Sequence, residues 1–206
     1  RPLADGESIR RFRDELRILS LLEHPGIARF LHGGRSPEGI WHLALEYVDG
    51  VDLLTWAAEH ELDRDARIRL FLAVLEPVRY AHERGVVHRD LKPRHRLIDR
   101  QGRPRLLDFG ISKLLVPGEG ADLAVTRTGA RALTPAYAAP KQFRGEPVSP
   151  ATDVFALGLV LYELFSGKPA FRAASVDELR RLQSETTPSS PSSFVEGFDP
   201  TVERVL

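Results

Sequence analysis

The chain has 206 residues, 42% of them hydrophobic, and its 29 basic and 29 acidic side chains cancel. That is enough apolar material for one domain with a real core or two small lobes, so disorder is not the default. No basic excess argues for nucleic acid or an anionic membrane as a partner. Without cysteine there is neither a disulfide framework nor a thiolate metal site, which suits a reducing, cytoplasmic compartment. The absence of methionine, with a start at Arg1-Pro2, reads as a piece of a longer frame.

In chain order, Ile9, Phe12, Leu16 and Leu19 recur at three- and four-residue spacing and predict an amphipathic helix over 8–23. Apolar runs at Ile27–Leu31 and Trp41–Val48, joined by a Gly/Ser/Pro loop, predict an antiparallel hairpin. Asp63 reads as the N-cap of a second helix that turns Ile68, Phe71, Leu72, Leu75 and Val78 inward. Pro77 inside it removes one backbone donor, at a cost of roughly 3 kcal/mol. Val86-Val87, Leu97-Ile98 and Leu106-Leu107 read as short strands, the last two linked by the turn Asp99-Arg100-Gln101-Gly102. Residues 108–141 carry no sustained period, and a stretch of that length in a compact domain is functional or disordered.

Residues 153–165 are apolar on nearly every side and predict a helix buried all round, ended by Gly167 and Pro169. This longest apolar run, interrupted by Gly158 and Glu163, is too short to span a bilayer, so any membrane anchor would lie outside the stretch. Ser175-Val176-Asp177-Glu178 reads as a capping box, and Ser184–Ser193 as a surface linker. The pattern predicts a strand-bearing part first and a helical part after it, with a hinge near Tyr47–Asp52.

Chemistry concentrates in His88-Arg89-Asp90-Leu91-Lys92-Pro93, followed by Asp108-Phe109-Gly110, Ala139-Pro140, and Asp153 with Gly158 at the apolar helix. In this order the blocks resemble the protein kinase superfamily, in particular the bacterial branch of eukaryotic-like (Hanks-type) serine/threonine kinases, over nearly the whole chain. The physical logic agrees. Phosphoryl transfer needs positioning and neutralisation of spreading negative charge. Asp90 can orient a hydroxyl and accept its proton, Lys92 can neutralise the moving phosphoryl group, and Asp108 is a hard oxygen donor for magnesium. Read alone, Asp90 and Lys92 are as well explained by a solvated ion pair; the ordered set decides otherwise.

The resemblance implies an α+β, two-lobed fold with a truncated small β lobe over 1–48 and a mainly helical large lobe over 49–206. It implies ATP, Mg2+ (with Mn2+ as a substitute) and protein substrates presenting Ser or Thr. Glu15 would pair with a phosphate-binding lysine, and Leu45 would be the gatekeeper. The backbone of Glu46 and Val48 would meet the adenine edge, Asp52 the ribose, and Leu53 and Leu97 would sandwich the ring. Leu19, His88 and Phe109 would form an apolar column, and Asp153 would hold the catalytic-loop backbone. Thr126 and Thr128 would be phosphorylated and received by Arg89, and Thr134 would bond the catalytic aspartate.

The sequence also departs from the family pattern. No Gly-rich loop or strand lysine precedes the first helix, and little or no activity is expected of residues 1–206 alone. His95 stands where the family has an asparagine that holds a second magnesium and braces Asp90. Arg96 stands in an apolar column, Lys141 replaces the glutamate of Ala-Pro-Glu, and Ala136 and Pro77 also differ. His95 and Lys141 motivate a second reading, a pseudokinase used as a binding or scaffolding module. A small-molecule phosphotransferase of the aminoglycoside kind shares the two aspartates but lacks a long segment ending in Ala-Pro before a buried helix.

Overall fold

A computed structural model describes residues 16–37, 41–107, 109, 135–193, 195 and 197–204. Residues 16–19 are helical, closed by the Ser20 N–H on the Leu16 carbonyl and the Ser20 hydroxyl on Arg17. They bury Leu19 and leave Ile18 and Leu21 open to solvent. Strands β1 (Phe30–Arg35) and β2 (Trp41–Leu45) form the antiparallel hairpin, paired from Phe30↔Leu45 to Arg35↔Trp41. The pairing starts three residues later than the apolar run at Ile27 suggested. Residues 26–28 are drawn instead to Leu106, whose N–H donates to Gly26 and whose carbonyl accepts from Ala28.

A second sheet orders β3 (Gly50–Asp52), β4 (Arg96–Asp99) and β5 (Pro104–Leu106) as an antiparallel β3-β4-β5 array. Gly50 is required there, because a Cβ would lie 2.3 Å from the Ile98 carbonyl oxygen. The turn between β4 and β5 closes on buried Asp99, which accepts from the Gln101 and Arg103 N–H groups.

Asp52 caps α1 (Leu53–Glu59) and Asp63 caps α2 (Arg64–Glu83). Helix α2 runs unbroken through Pro77, whose ring is fully buried; a Cβ on Gly26 would lie 3.2 Å from the ring's Cγ. Leu72, expected inside, is 54% exposed. The inward stripe is Leu70, Phe71, Val74, Val78 and Ala81. Val86-Val87 is not a strand. Gly85 turns left-handed at φ 74°, and the Val86 N–H folds back onto the Ala81 carbonyl. Both residues are used in leaving the helix.

The short α3 (Pro140–Phe143) precedes α4 (Pro150–Ser166), which begins three residues earlier than the apolar run and ends on left-handed Gly167. It is not buried all round. Ala151, Val154 and Gly158 make an exposed stripe at helical spacing, with Val154 61% exposed. The remaining faces carry Ala156, Leu157, Val160 and Leu164 into a core shared with Leu53, Leu91 and Ile98.

Ser175 accepts from the Glu178 N–H at the start of α5 (Val176–Glu185), but Glu178 reaches Ala174 rather than Ser175, so the reciprocal half of the box slips by one residue. The supposed linker at 184–193 opens with the last residues of α5, buries Pro191, and is tied to α4 by the Tyr162 hydroxyl on the Ser189 carbonyl, 2.7 Å away. Helix α6 (Pro200–Glu203) follows its Asp199 cap. The architecture is α+β, as the sequence predicts, but β4 and β5 follow α1 and α2, so strands are not confined to the first part of the chain.

These burial assignments separate two leucines. Leu164→Ala, in the core, is expected to cost about 2–5 kcal/mol of unfolding free energy, whereas Leu72→Ala stays within about 0.5 kcal/mol. Urea unfolding of the two variants checks this, and equal losses would contradict the inward stripe of α2.

Candidate functional site

The site is built where α2 ends and α4 begins. Asp153, in the first turn of α4 and only 1% exposed, turns its carboxylate toward the loop that follows α2. One oxygen accepts from the His88 N–H at 2.7 Å and the other from the Arg89 N–H at 2.8 Å. His82, on the last turn of α2, brings Nε2 within 2.7 Å of the same carboxylate. Arg89 is held at φ 71°, a left-handed conformation that costs a non-glycine residue roughly 1–3 kcal/mol. Gln142 of α3 fixes the next peptide, Arg89-Asp90. Its Nε2 donates to the Arg89 carbonyl at 2.8 Å while its Oε1 accepts from the Ala139 N–H at 2.9 Å.

The next residue is Asp90. Its Oδ2 lies 2.9 Å from the Lys92 ammonium, with both side chains largely buried. Buried Leu91 anchors the loop between them. A single turn at Pro93–His95 then leads into β4. His95 Nδ1 donates to the Asp90 carbonyl at 3.0 Å and stands 3.5 Å from its carboxylate. With the proton on Nδ1, the neutral ring carries its lone pair on Nε2. A nitrogen donor suits manganese or zinc better than magnesium, so His95 is a poor replacement for an oxygen ligand. His88 Nε2 donates to the Leu107 carbonyl at 2.8 Å, and its ring lies 4.8 Å from that of buried Phe109. Phe109 in turn lines an apolar pocket with Leu19, Leu22, Ile27, Ala28, Phe30 and Leu45. Phe109 thus meets the His88 ring and shares a pocket with Leu19.

Around the bend after β2, Glu46 donates its N–H to the Arg29 carbonyl, so only its carbonyl could meet an adenine edge. The Glu46 carboxylate accepts from the Arg29 N–H at 3.1 Å and from Arg105 at 2.6 Å, joining β2 to β5. Val48 is buried, beside a Tyr47 that is 87% exposed. Asp52 spends its carboxylate on the Leu54 and Thr55 N–H groups and the Thr55 hydroxyl, a helix-capping role absent from its expected ribose contact. Leu53 has no exposed surface and belongs to the core, which corrects its assignment as one face of an adenine sandwich; Leu97 is partly open. Lys141 is exposed, so no cation is buried there. Glu15, Asp108, Thr126, Thr128 and Thr134 lie outside the described residues, as does the side chain of Arg96.

Sequence reasoning missed His82, Gln142 and Arg105. His82 had a readable signal, since it lies four residues beyond inward-facing Val78. Gln142 and Arg105 had none, because their partners are 53 and 59 residues distant.

Two outcomes follow. Asp153→Ala should raise amide hydrogen exchange across 86–92. Gln142→Glu, which keeps the acceptor for Ala139 and loses the donor to Arg89, should raise it less. Unchanged exchange in both would mean that the loop is held by other contacts. Glu46 titrates below its ordinary value of 4.5: the Arg29 N–H is the largest cause, burial opposes it, and Arg105 adds to the lowering. A depressed carboxyl contributes stability above its unfolded pKa and loses it as pH falls through the folded one. Wild type should therefore exceed Glu46→Gln in stability near neutrality, and the two should converge as pH falls below about 4.5. Parallel denaturation curves across that range would contradict this tie.

Comparison with known proteins gives the family. The protein kinase domain matches residues 3–198. Serine/threonine-protein kinase PrkC of Bacillus subtilis is 33% identical over 198 residues, covering 92% of this chain and 30% of the relative. Serine/threonine-protein kinase pkn3 of Myxococcus xanthus is 32% identical over 211 residues, covering 99% and 38%. Serine/threonine-protein kinase PknB of Mycobacterium tuberculosis is 30% identical over 200 residues, covering 95% and 32%. The chain therefore spans under two fifths of the length of these relatives. With the loop geometry above and a match across nearly all its length, the chain belongs to the protein kinase domain family.

Proposed function

We propose that this chain is catalytic machinery of a serine/threonine protein kinase, transferring the γ-phosphate of ATP to a hydroxyl of a protein in the cytoplasm. The observation that carries the reading is the 2.9 Å contact of Lys92 with Asp90 on a loop whose backbone is clamped by Asp153. Asp90 orients the acceptor hydroxyl and takes its proton as the oxygen attacks phosphorus and ADP leaves. Lys92, already beside that carboxylate, neutralises the phosphoryl group in transit. Asp108 would hold magnesium, which when bound neutralises the phosphates; His95 braces Asp90 and would prefer manganese.

Leu45, the Glu46 carbonyl, Val48 and Leu97 would form the adenine site, Asp52 would add a ribose contact to its capping of α1, and Glu15 would serve the phosphates. Thr134 would bond Asp90, and Arg89 would receive phosphate from Thr126 or Thr128. In this reading 1–48 belongs to the small lobe and 49–206 to the large one. The kinase names of the relatives support the reading, and no observation favours a non-catalytic scaffold over it.

The test is phosphate transfer by the protein that carries this chain, using γ-labelled ATP, magnesium or manganese, and a Ser/Thr-rich protein acceptor. Label is expected on serine or threonine, and Asp90→Asn should lower the rate by about 10²–10⁴-fold. Transfer no faster than in the Asp90→Asn variant would reject the kinase and leave the binding module.

A further inference from the structure

The exposed side of the β1–β2 hairpin carries two histidines that play no part in the proposed phosphotransfer. Strand register sets His32 opposite Ala44 and Gly34 opposite His42, so each imidazole faces a residue with little or no side chain. The rings therefore meet on the diagonal, with centroids 5.1 Å apart and planes inclined by 23°. His42 Nε2 and His32 Nδ1 are separated by 3.3 Å. Gly34 is the floor beneath them: a Cβ there would lie 3.4 Å from His32 Cε1 and 3.6 Å from His42 Cε1. On the other side of the same strand, Gly33 packs so closely that a Cβ would come within 2.8 Å of Leu16, which seats the hairpin on the helical segment at 16–19.

We infer that His32 and His42 form a two-imidazole site for a borderline transition-metal cation, zinc first, on the face of the hairpin. The geometry carries it. Zinc–nitrogen bonds of about 2.0–2.1 Å at a tetrahedral angle place two neighbouring ligand nitrogens roughly 3.3 Å apart, the spacing already present. A cation taking the position of the shared proton needs only small ring rotations, and both rings are exposed enough to make them. Among the described residues no third His, Cys, Asp or Glu completes a cluster. Water or an outside donor would fill the positions that the described residues leave. All-nitrogen donors select zinc, copper or nickel and reject magnesium and calcium, so the site is chemically distinct from one that serves ATP.

The experiment is calorimetric titration of the chelator-stripped chain with zinc chloride, with and without millimolar magnesium. Wild type is expected to bind one zinc in the micromolar range, unaffected by magnesium. His32→Ala and His42→Ala should each weaken binding at least ten-fold. Gly34→Val, which keeps both imidazoles and removes their floor, should also weaken it. Circular dichroism checks that these surface variants remain folded. In a parallel measurement that needs no variant, stoichiometric zinc should displace the ring proton resonances of two histidines out of seven. Loss below ten-fold in either histidine variant, an unchanged Gly34→Val, competition by magnesium, perturbation of other histidines, or no saturable binding would each overturn the inference.

Discussion

The buried carboxylate of Asp153 is the constraint on which the rest of the site depends. A carboxylate with almost no exposure is costly unless its oxygens are fully engaged, and here two backbone N–H groups and an imidazole engage them. The bonds run both ways in effect: they satisfy the charge, and they hold the His88-Arg89 peptide where Arg89 must take a left-handed φ. Such strain persists only where the surroundings over-determine it. Helix α4 supplies that determination because it is strongly apolar, and its side chains Leu157, Val160 and Leu164 lock it into the core. The position of Asp90 is thereby tied to core packing and not to solvent-exposed loop contacts.

What was legible of the fold was whatever repeats. The apolar spacing of α2 and α4, the Asp63 and Ser175 caps and the Asp99–Gly102 turn could be read because each is a local pattern with a local cause. The misreadings share an opposite origin. Leu72 and Val154 are apolar residues on exposed helix faces, and periodicity cannot say how wide a covered stripe will be. Val86-Val87 has strand composition, but two residues after a left-handed glycine are taken up by the exit from α2. Ile27 has strand character too, and its neighbours pair with Leu106, 79 positions away, where no hairpin signal could point.

The candidate site divides along the same line. Asp90 and Lys92 are two residues apart, so their contact was inherent in one short motif. Phe109 against His88, and Asp153 against the loop, came through likeness to a family and not through any spacing rule. Gln142 was invisible because its role is to bond one backbone carbonyl on a distant strained residue, and a glutamine in a short helix announces nothing of that kind. Leu53 was misassigned for a simpler reason. An apolar residue beside a hinge serves core or ligand equally well in sequence, and only its complete burial decides.

His95 shows how a departure in the sequence can leave the geometry intact. By the resemblance, the family asparagine at this position has two duties, holding a second magnesium and bracing Asp90. An imidazole N–H directed at a carbonyl is the same kind of donor as a carboxamide N–H, and Nδ1 meets the Asp90 carbonyl at 3.0 Å. The brace on Asp90 therefore survives the exchange, while the ligand atom changes from hard oxygen to nitrogen. The two duties are separable. Under the proposed kinase reading, the exchange would bear on the choice of cation far more than on the position of Asp90.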